Sequence, residues 1–137
     1  LGESGLSFFA KKSTANRLRK TFPVSLDQER FLISGDKSNQ KISLQTWFDS
    51  EGIAPKIVAE FDDSALMKYF GQSGHGVFAA PTIIEKHVTQ QYDVAVIGST
   101  DAVSERFYAI SPERKVKHPG VKHLVTIAKE LFESASL

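Results

Sequence analysis

"EFDDSALMKYFGQSGHGVFAAPT", residues 60–82, contains an acidic turn, an apolar run, a glycine-rich turn and a second apolar run. The acidic turn consists of Asp62, Asp63 and Ser64. These residue types cap helices, because their side-chain oxygens accept hydrogen bonds from unpaired N–H groups of the first turn. Carboxylates also suit the positive end of a helix. We therefore predict that a strand ends and a helix begins at this turn.

The remainder of this stretch predicts the body of the helix and a second strand. Large apolar side chains recur three and four positions apart, at Leu66, Tyr69 and Phe70. This is the spacing of one helix face. Gly71 or Gly74 can adopt the left-handed conformation that often ends a helix. Residues 76–84 are almost continuously apolar, which is typical of a strand of a parallel sheet with both faces buried.

The same alternation continues in both directions along the chain. Its apolar periodicity predicts further strands and helices. The predicted strands are 4–10, 29–35, 55–61, 92–100 and 104–112, and the predicted helices are 41–52 and 118–135. We interpret the basic stretch 11–28 as a loop with one helical turn, and 83–91 as a short helix or a loop. Strands that alternate with short helices indicate an α/β fold with a doubly wound sheet.

Composition excludes several classes of protein. The chain has 137 residues with 17 basic and 16 acidic side chains, so its formal charge of +1 provides no broad field for nucleic acid or an anionic membrane. There is no cysteine, which excludes disulfides and thiolate chemistry and favours a cytoplasmic location. No apolar run approaches the length that spans a bilayer. We expect one globular domain with no membrane partner.

Two turns at predicted strand ends carry candidate ligand-binding residues. In the turn 34–41, the donors Ser34, Lys37, Ser38 and Asn39 suit a small anion, or they form a solvated capping loop. In the second turn, Asp62 and Asp63, with Asp36 or Glu60, could offer oxygens to a hard cation. Helix capping alone also explains these two aspartates and is the favoured interpretation. Of the four histidines, His75 lies between two glycines at a predicted strand mouth.

Motifs for catalysis are not found. The sequence has no GxSxG elbow, no Walker loop and no HExxH pair. The glycines at 71, 74 and 76 close a helix, whereas a dinucleotide fingerprint opens one. We therefore expect neither an enzyme nor a cofactor or metal.

The order of several motifs resembles that of a known family. LGESGLSFFAKK, ERFLISG, LQTWFDSEGI, AEFDDSALMKYFG, GHGVFAAPTI and FYAISPERKVKHPGV resemble the effector-binding domain of LysR-type transcriptional regulators. The likeness covers nearly the whole chain. It implies a lobe like those of periplasmic solute-binding proteins, in which two α/β lobes are joined by two crossing strands and a small molecule binds in the cleft. It further implies that residues 1–112 form the second lobe together with its crossing strands, and that residues 113–137 lead back to the first lobe and form its last helix.

The resemblance also implies which residues serve these roles. The residues that would line the cleft are Ser34, Asp36, Lys37, Ser38, Asp62, Asp63, Ser64, His75, Ala80 and Thr82. The residues that would form the hinge are Gly2, Ser4, Gly5, Ala109 and Ser111. A family member carries a winged helix-turn-helix and most of its first lobe before this part. DNA would therefore be bound only outside this chain.

The function implied is that of the sensor in a DNA-binding activator. Within the family, the likeness is to activators of sodium/proton antiporter expression, so the effector would be a small molecule or an ion such as sodium. We also expect a homo-oligomer, since the apolar stripe of the predicted helix 118–135 needs a partner. Two alternatives remain open: an extracytoplasmic solute-binding lobe, and a flavodoxin-like enzyme, for which the sequence shows no phosphate loop or nucleophile.

Overall fold

The computed structural model describes residues 2–35 and 40–107, together with Ile127 and Glu130. The strands are β1 Gly2–Lys11, β2 Arg30–Ser34, β3 Lys56–Phe61, β4 Phe78–Pro81 and β5 Val94–Phe107. The helices are α1 Lys12–Arg19, α2 Gln40–Glu51, α3 Ser64–Gln72 and α4 Glu85–Gln91. Short 3₁₀ turns at Val24–Leu26 and Thr82–Ile84 complete the described elements.

The described strands form a mixed layer in the order β3-β2-β4-β1-β5. Strand β1 is antiparallel to both β4 and β5, and β2 is parallel to β3. A parallel bridge between Phe31 and Val77 joins these two groups. The bridge is held by hydrogen bonds from Leu32 N to Val77 O at 2.7 Å and from Val77 N to Arg30 O at 2.8 Å. Consequently β2, β3 and β4 end at the same edge, which we call the carboxyl edge.

Helices cover both faces of this layer, and each face has its own apolar core. Strand β1 shows the division, because Leu6 and Phe8 belong to one core and Phe9 to the other. The first core includes Ala15 of α1 and Trp47 of α2. The second core is formed with α3 and α4, through Met67, Phe70 and Val88. This arrangement is the doubly wound α/β lobe that the alternating pattern predicts.

The turn in the opening stretch forms as its residue types predict. Asp63 is the N-cap of α3, and its Oδ1 accepts from the N–H groups of Ala65 at 2.9 Å and Leu66 at 3.4 Å. Gly74 follows the helix with φ +88°, so it takes the left-handed turn. Gly71 instead lies inside α3 against Phe78, where an added Cβ would be 2.3 Å from the ring.

Three elements differ from their sequence predictions. Helix α1 is eight residues long rather than one turn, because Ala15 and Leu18 bury one side of a polar segment. Strand β5 runs without a break through most of the predicted strand 92–100 and the described part, 104–107, of the predicted strand 104–112, since it pairs along all of β1. Strand β4 is buried, as predicted, but its regular ladder is with antiparallel β1 rather than in a parallel sheet.

Candidate functional site

The carboxyl edge gathers most of the described candidate residues. Ser34 ends β2, Asp62 follows β3, and Thr82 follows β4. The amino-terminal half of β1 reaches the same edge, because Leu6 pairs with Pro81 in the antiparallel ladder. In open α/β sheets, ligands bind outside the carboxyl ends of strands. The fold therefore places these groups where such a site is expected.

Three side chains at this edge form a hydrogen-bonded unit, Ser7, Thr82 and Glu85, which we call the polar cluster. Ser7 Oγ lies 3.0 Å from Thr82 Oγ1 and 2.6 Å from Glu85 Oε2. Ser7 is fully buried in an otherwise apolar part of β1, Glu85 is half-buried, and Thr82 is exposed. A buried hydroxyl needs a partner, and α4 supplies one by starting at Glu85. The cluster thus connects the buried sheet to its solvent-exposed edge.

Ser4 extends the polar surface beside this cluster. It is 8% exposed, and its Oγ accepts from the N–H of Ile83 at 3.1 Å while donating to the carbonyl of Gly5 at 3.1 Å. The first of these bonds ties β1 to the 3₁₀ turn that carries Thr82. Ser4 is therefore part of the packing that fixes the polar cluster in position, in addition to being a predicted hinge residue.

The predicted crossing strands, β1 and β5, pair with each other next to this cluster. Gly2 pairs with Phe107 and Gly5 with Ser104, but the next pair is Leu6 with Thr100. Residues 101–103 are therefore extra on β5, and such a bulge bends and twists a strand. A Cβ on Gly5 would lie 2.6 Å from both Thr100 O and Asp101 Oδ1. Glycine is thus required for the close approach of the two strands at this predicted hinge.

The acidic turn at the start of α3 is a capping turn. Asp62, Asp63 and Ser64 are all exposed, and Asp63 uses its Oδ1 for the helix N-terminus. Among the described residues, no group of three or more acidic or histidine side chains could hold a metal ion. The structure therefore places these residues at the carboxyl edge and gives Asp63 a capping role.

His75 is not brought together with the other candidates. It precedes β4, and its carbonyl oxygen accepts a hydrogen bond from Arg30 Nε at 3.0 Å at the start of β2. It therefore lies at the opposite, amino edge of the layer, and its ring packs against Phe70.

An ion pair also lies at the amino edge. Arg17 donates a hydrogen bond of 2.7 Å to Glu29, and this bond raises the pKa of Arg17 above its ordinary value.

Several sequence candidates lie outside the described residues. They are Asp36, Lys37 and Ser38 of the predicted cleft, Ala109 and Ser111 of the predicted hinge, and most of the predicted helix 118–135. Conversely, sequence analysis missed Ser7 and Glu85 as site residues. Ser7 had a usable signal, because it is a polar residue within the apolar run 6–10. Glu85 had none, since its contact depends on how the turn after β4 folds back.

A second surface feature is a groove of about 430 Å³ between α2 and β3. Its lining includes Ile33, Ile42 and Ile57, and an ion pair between Lys41 and Glu60 lies at its border. Ile42 and Ile57 are 69% and 42% exposed. Among the described strands, β3 lies at the edge of the layer with β2 as its partner, and the other side of an edge strand can pair with another chain. The described helices are all too short or too polar to cross a membrane.

Comparison with known sequences identifies relatives. The family model described as the LysR substrate binding domain matches residues 1–133. The transcriptional activator protein NhaR of Escherichia coli (strain K12) is 37% identical over 124 residues, which are 90% of this chain and 40% of that protein. NhaR of Shigella flexneri matches equally well. The chain therefore spans 40% of the length of these relatives.

Comparison with solved structures shows the same fold. The effector domain of the regulator AmpR of Pseudomonas aeruginosa matches with a TM-score of 0.61 and 20% identity, over 99% of this chain and 63% of that one. An ancestral arginine-binding protein bound to arginine matches with a TM-score of 0.55 and 16% identity, over 96% and 60%. The predicted lobe, like those of periplasmic binding proteins, is thus confirmed.

The sequence and structure comparisons agree on the family. The match to the family model covers almost the whole chain, and the fold is that of LysR effector-binding domains. The resemblance deduced from the motif order is thereby confirmed. This chain belongs to the LysR family of transcriptional regulators, as part of their substrate-binding domain.

Proposed function

We propose that this chain is the effector-sensing lobe of a LysR-type DNA-binding activator. Residues 1–112 form the second lobe with its crossing strands, and 113–137 return to the first lobe. A winged helix-turn-helix in the remainder of the protein binds DNA. The chain has no catalytic role in this proposal, and the whole regulator acts in the cytoplasm.

The observation that carries this proposal is the polar cluster beside the paired crossing strands. A serine that is fully buried within an apolar strand is costly unless its hydroxyl is bonded, and here the bonds lead to an exposed hydroxyl and a half-buried carboxylate. The cluster lies at the edge where β1 and β5 extend as a two-stranded ladder beyond β4. A cleft between two lobes that are joined by these strands would include this cluster.

The mechanism we propose is a shift of population between two lobe arrangements. An effector that contacts both lobes favours the arrangement in which both sets of contacts form. The described β1–β5 ladder is interrupted at two points, and the one nearer the start of β1 is the bulge at Gly5 and residues 101–103. Rotation of the lobes about this point would re-space the DNA-binding domains, so binding at the cleft and DNA binding would be coupled.

The gene that is controlled is part of the same proposal, and the relatives support it. Both curated relatives are called transcriptional activator protein NhaR, and the likeness to activators of sodium/proton antiporter expression supports the same target here. In this proposal the protein activates antiporter expression in response to sodium. The cleft residues of this lobe are Ser4, Ser7, Thr82 and Glu85, with Ser34 and Asp62–Ser64 at the rim.

We also propose that the protein is a homo-oligomer. The exposed apolar groove between α2 and β3, with the free side of β3, supports this. Exposed apolar surface at a sheet edge favours association of chains. The second candidate function, an extracytoplasmic solute-binding lobe, is favoured by the likeness to an arginine-binding protein, but that likeness concerns the fold alone.

The first experiment is to sequence the coding DNA upstream of the Leu1 codon. We expect it to encode a winged helix-turn-helix, a linker helix and another α/β half. An encoded signal peptide would overturn the regulator and favour the solute-binding lobe. The encoded protein is then tested for binding to the control region of the sodium/proton antiporter gene in sodium and in potassium. Identical DNA binding and transcription in the two salts would overturn the sodium response.

A further inference from the structure

The amino edge of the layer has a pocket that the proposed function does not use. Its volume is about 140 Å³, and it lies between the start of α1, the start of β2 and the turn before β4. We call it the amino-edge pocket. Two of its lining residues, Ala10 and Val77, are buried and apolar. The other lining residues are polar or glycine: Lys11, Thr14, Arg17, Glu29, Arg30, Gly74 and Gly76.

Three of the polar lining residues belong to one face of α1. Lys11 directly precedes the helix, and Thr14 and Arg17 follow at intervals of three positions. This spacing places side chains on the same side of a helix. The first turn of α1 contains no acidic residue, so the positive end of the helix dipole adds to the charge of these side chains. One wall of the pocket therefore presents two cations and a hydroxyl group.

The opposite wall adds a third cation. Arg30 begins β2, and its Nε donates a hydrogen bond of 3.0 Å to the carbonyl oxygen of His75, which fixes the guanidinium beside the turn before β4. Gly74 in this turn has φ +88°, and an added Cβ would lie 3.4 Å from Lys11 Cδ. The absence of a side chain on Gly74 thus keeps space open between α1 and β2.

Most of the donors in the pocket are unused. Within the described residues, Lys11 Nζ and Thr14 Oγ1 have no hydrogen-bond or ion-pair partner, and neither do the Nη atoms of Arg30. Arg17 uses Nη1 to donate to Glu29 at 2.7 Å, which orients its guanidinium and leaves Nε and Nη2 available. The lining has three cationic side chains and one carboxylate, so its net charge is +2.

We propose that the amino-edge pocket binds a small oxyanion with two negative charges, either a free anion such as phosphate or sulfate, or the phosphate group of a small molecule. The cationic side chains of Lys11, Arg17 and Arg30 neutralise it, and Thr14 donates a hydrogen bond. Guanidinium groups suit this ligand because they present two parallel N–H donors to its oxygens. A cation would meet a like charge, and an apolar ligand would bury unpaired donors.

This second site is independent of the proposed effector cleft. The cleft residues lie at the carboxyl edge, whereas the amino-edge pocket lies at the other end of β2 and β4. The proposal therefore goes beyond the proposed function and can fail or succeed separately from it.

The experiment uses the full-length protein and measures its thermal unfolding midpoint, Tm, which a ligand raises when it binds only the folded state. Potassium phosphate, potassium sulfate and potassium glycerol 3-phosphate are each titrated against potassium chloride at constant ionic strength and pH. Phosphate and sulfate also stabilise proteins in general, because they are excluded from protein surfaces. The dissociation constant is therefore taken only from a rise in Tm that saturates.

The variants test whether a saturating response comes from the amino-edge pocket. Lys11 is exposed and has no partner among the described side chains, so Lys11→Gln should leave Tm in chloride unchanged and raise the dissociation constant about fivefold. Arg30→Lys keeps the charge but removes the planar fork, and we expect about threefold weaker binding. The matched control is Lys20→Gln, an exposed cation at the other end of α1, which should leave the dissociation constant unchanged.

A saturating rise in Tm that needs more anion in Lys11→Gln, but not in Lys20→Gln, supports the proposal. If glycerol 3-phosphate then binds more tightly than phosphate, the ligand is a phosphorylated small molecule, and if it binds more weakly, the ligand is the free oxyanion. A rise that does not saturate and is equal in all variants is surface exclusion and overturns the proposal. A saturating response that Lys11→Gln and Arg30→Lys both leave unchanged places the anion elsewhere and also overturns it. Neither negative result affects the sensor function, which depends on the opposite edge.

Discussion

Replacement of Gly71 by alanine tests the packing that positions β4. Gly71 is buried in α3, and an added Cβ would lie 2.3 Å from Phe78 Cδ1 and 2.5 Å from Cε1. Phe78 is fully buried, and its ring stacks on Phe9 with centroids 5.3 Å apart. The ring therefore has little room to move away. Since β4 leads directly to Thr82, displacement of Phe78 also moves the polar cluster.

The expected magnitude is the difference between two opposing effects. The contacts are shorter than an optimal carbon–carbon distance by roughly 1 Å, so the substitution belongs at the upper end of overpacking costs, about 3 kcal/mol. Alanine is better than glycine inside a helix by about 1 kcal/mol. We expect Gly71→Ala to lower the free energy of unfolding by about 2 kcal/mol.

The assay is urea unfolding followed by circular dichroism. At a slope of roughly 2 kcal/mol per molar, the midpoint should fall by about 1 M. Phe78→Leu opens space at the contact, so it should cost less in the Gly71→Ala background than in the wild type. The control is Gly52→Ala, which has φ +69° and no atom within 4 Å of an added Cβ. Its cost should add to that of Phe78→Leu without coupling.

The reasoning is refuted by either of two results. The first is a Gly71→Ala protein that is as stable as the wild type or more stable, since helix propensity would then be the only effect. The second is simple additivity of Gly71→Ala and Phe78→Leu, which would mean that the helix and the strand do not meet at this pair.

Four further substitutions give outcomes that the same unfolding assay can measure. Gly5→Ala should destabilise by about 1–3 kcal/mol because the backbone oxygen of Thr100 cannot move aside, and an unchanged midpoint would contradict the close approach at the bulge. Asp63→Ala should lower the free energy of unfolding by about 1 kcal/mol through loss of the N-cap, whereas Asp62→Ala should change it by less than about 0.5 kcal/mol. Equal losses for the two substitutions would contradict the capping role of Asp63. Ser7→Ala should cost about 2 kcal/mol, since it breaks the bond to a charged group, and a neutral result would show that the cluster is not formed.

Local chemistry explains the parts of the fold that the sequence predicted correctly. The capping preference of Asp63 and the left-handed freedom of Gly74 depend on adjacent residues, so their roles could be inferred without tertiary contacts. The apolar spacing of Leu44, Trp47 and Phe48 likewise predicted α2, because these residues face a common core. The family resemblance rested on the order of such local motifs, and the comparisons confirmed it.

Features that depend on distant partners could not be predicted in the same way. Helix α1 has few apolar residues and depends on contacts such as those of Arg19, which donates to Val96 O from Nε and Nη2. The continuity of β5 follows from its pairing with β1, about 90 residues away in the chain. His75 appeared to lie at a ligand-binding strand mouth, but the direction of β4 places it at the amino edge.

The sequence by itself determined most of the elements, the family and the residue types available at the carboxyl edge, because caps, turns and apolar periods act over a few residues. Only the tertiary structure decided which of those residues meet. Ser7 and Glu85 are separated by 78 positions, and their 2.6 Å contact exists because the antiparallel β1–β4 ladder brings the start of α4 over β1. The polar cluster at the carboxyl edge follows from that pairing.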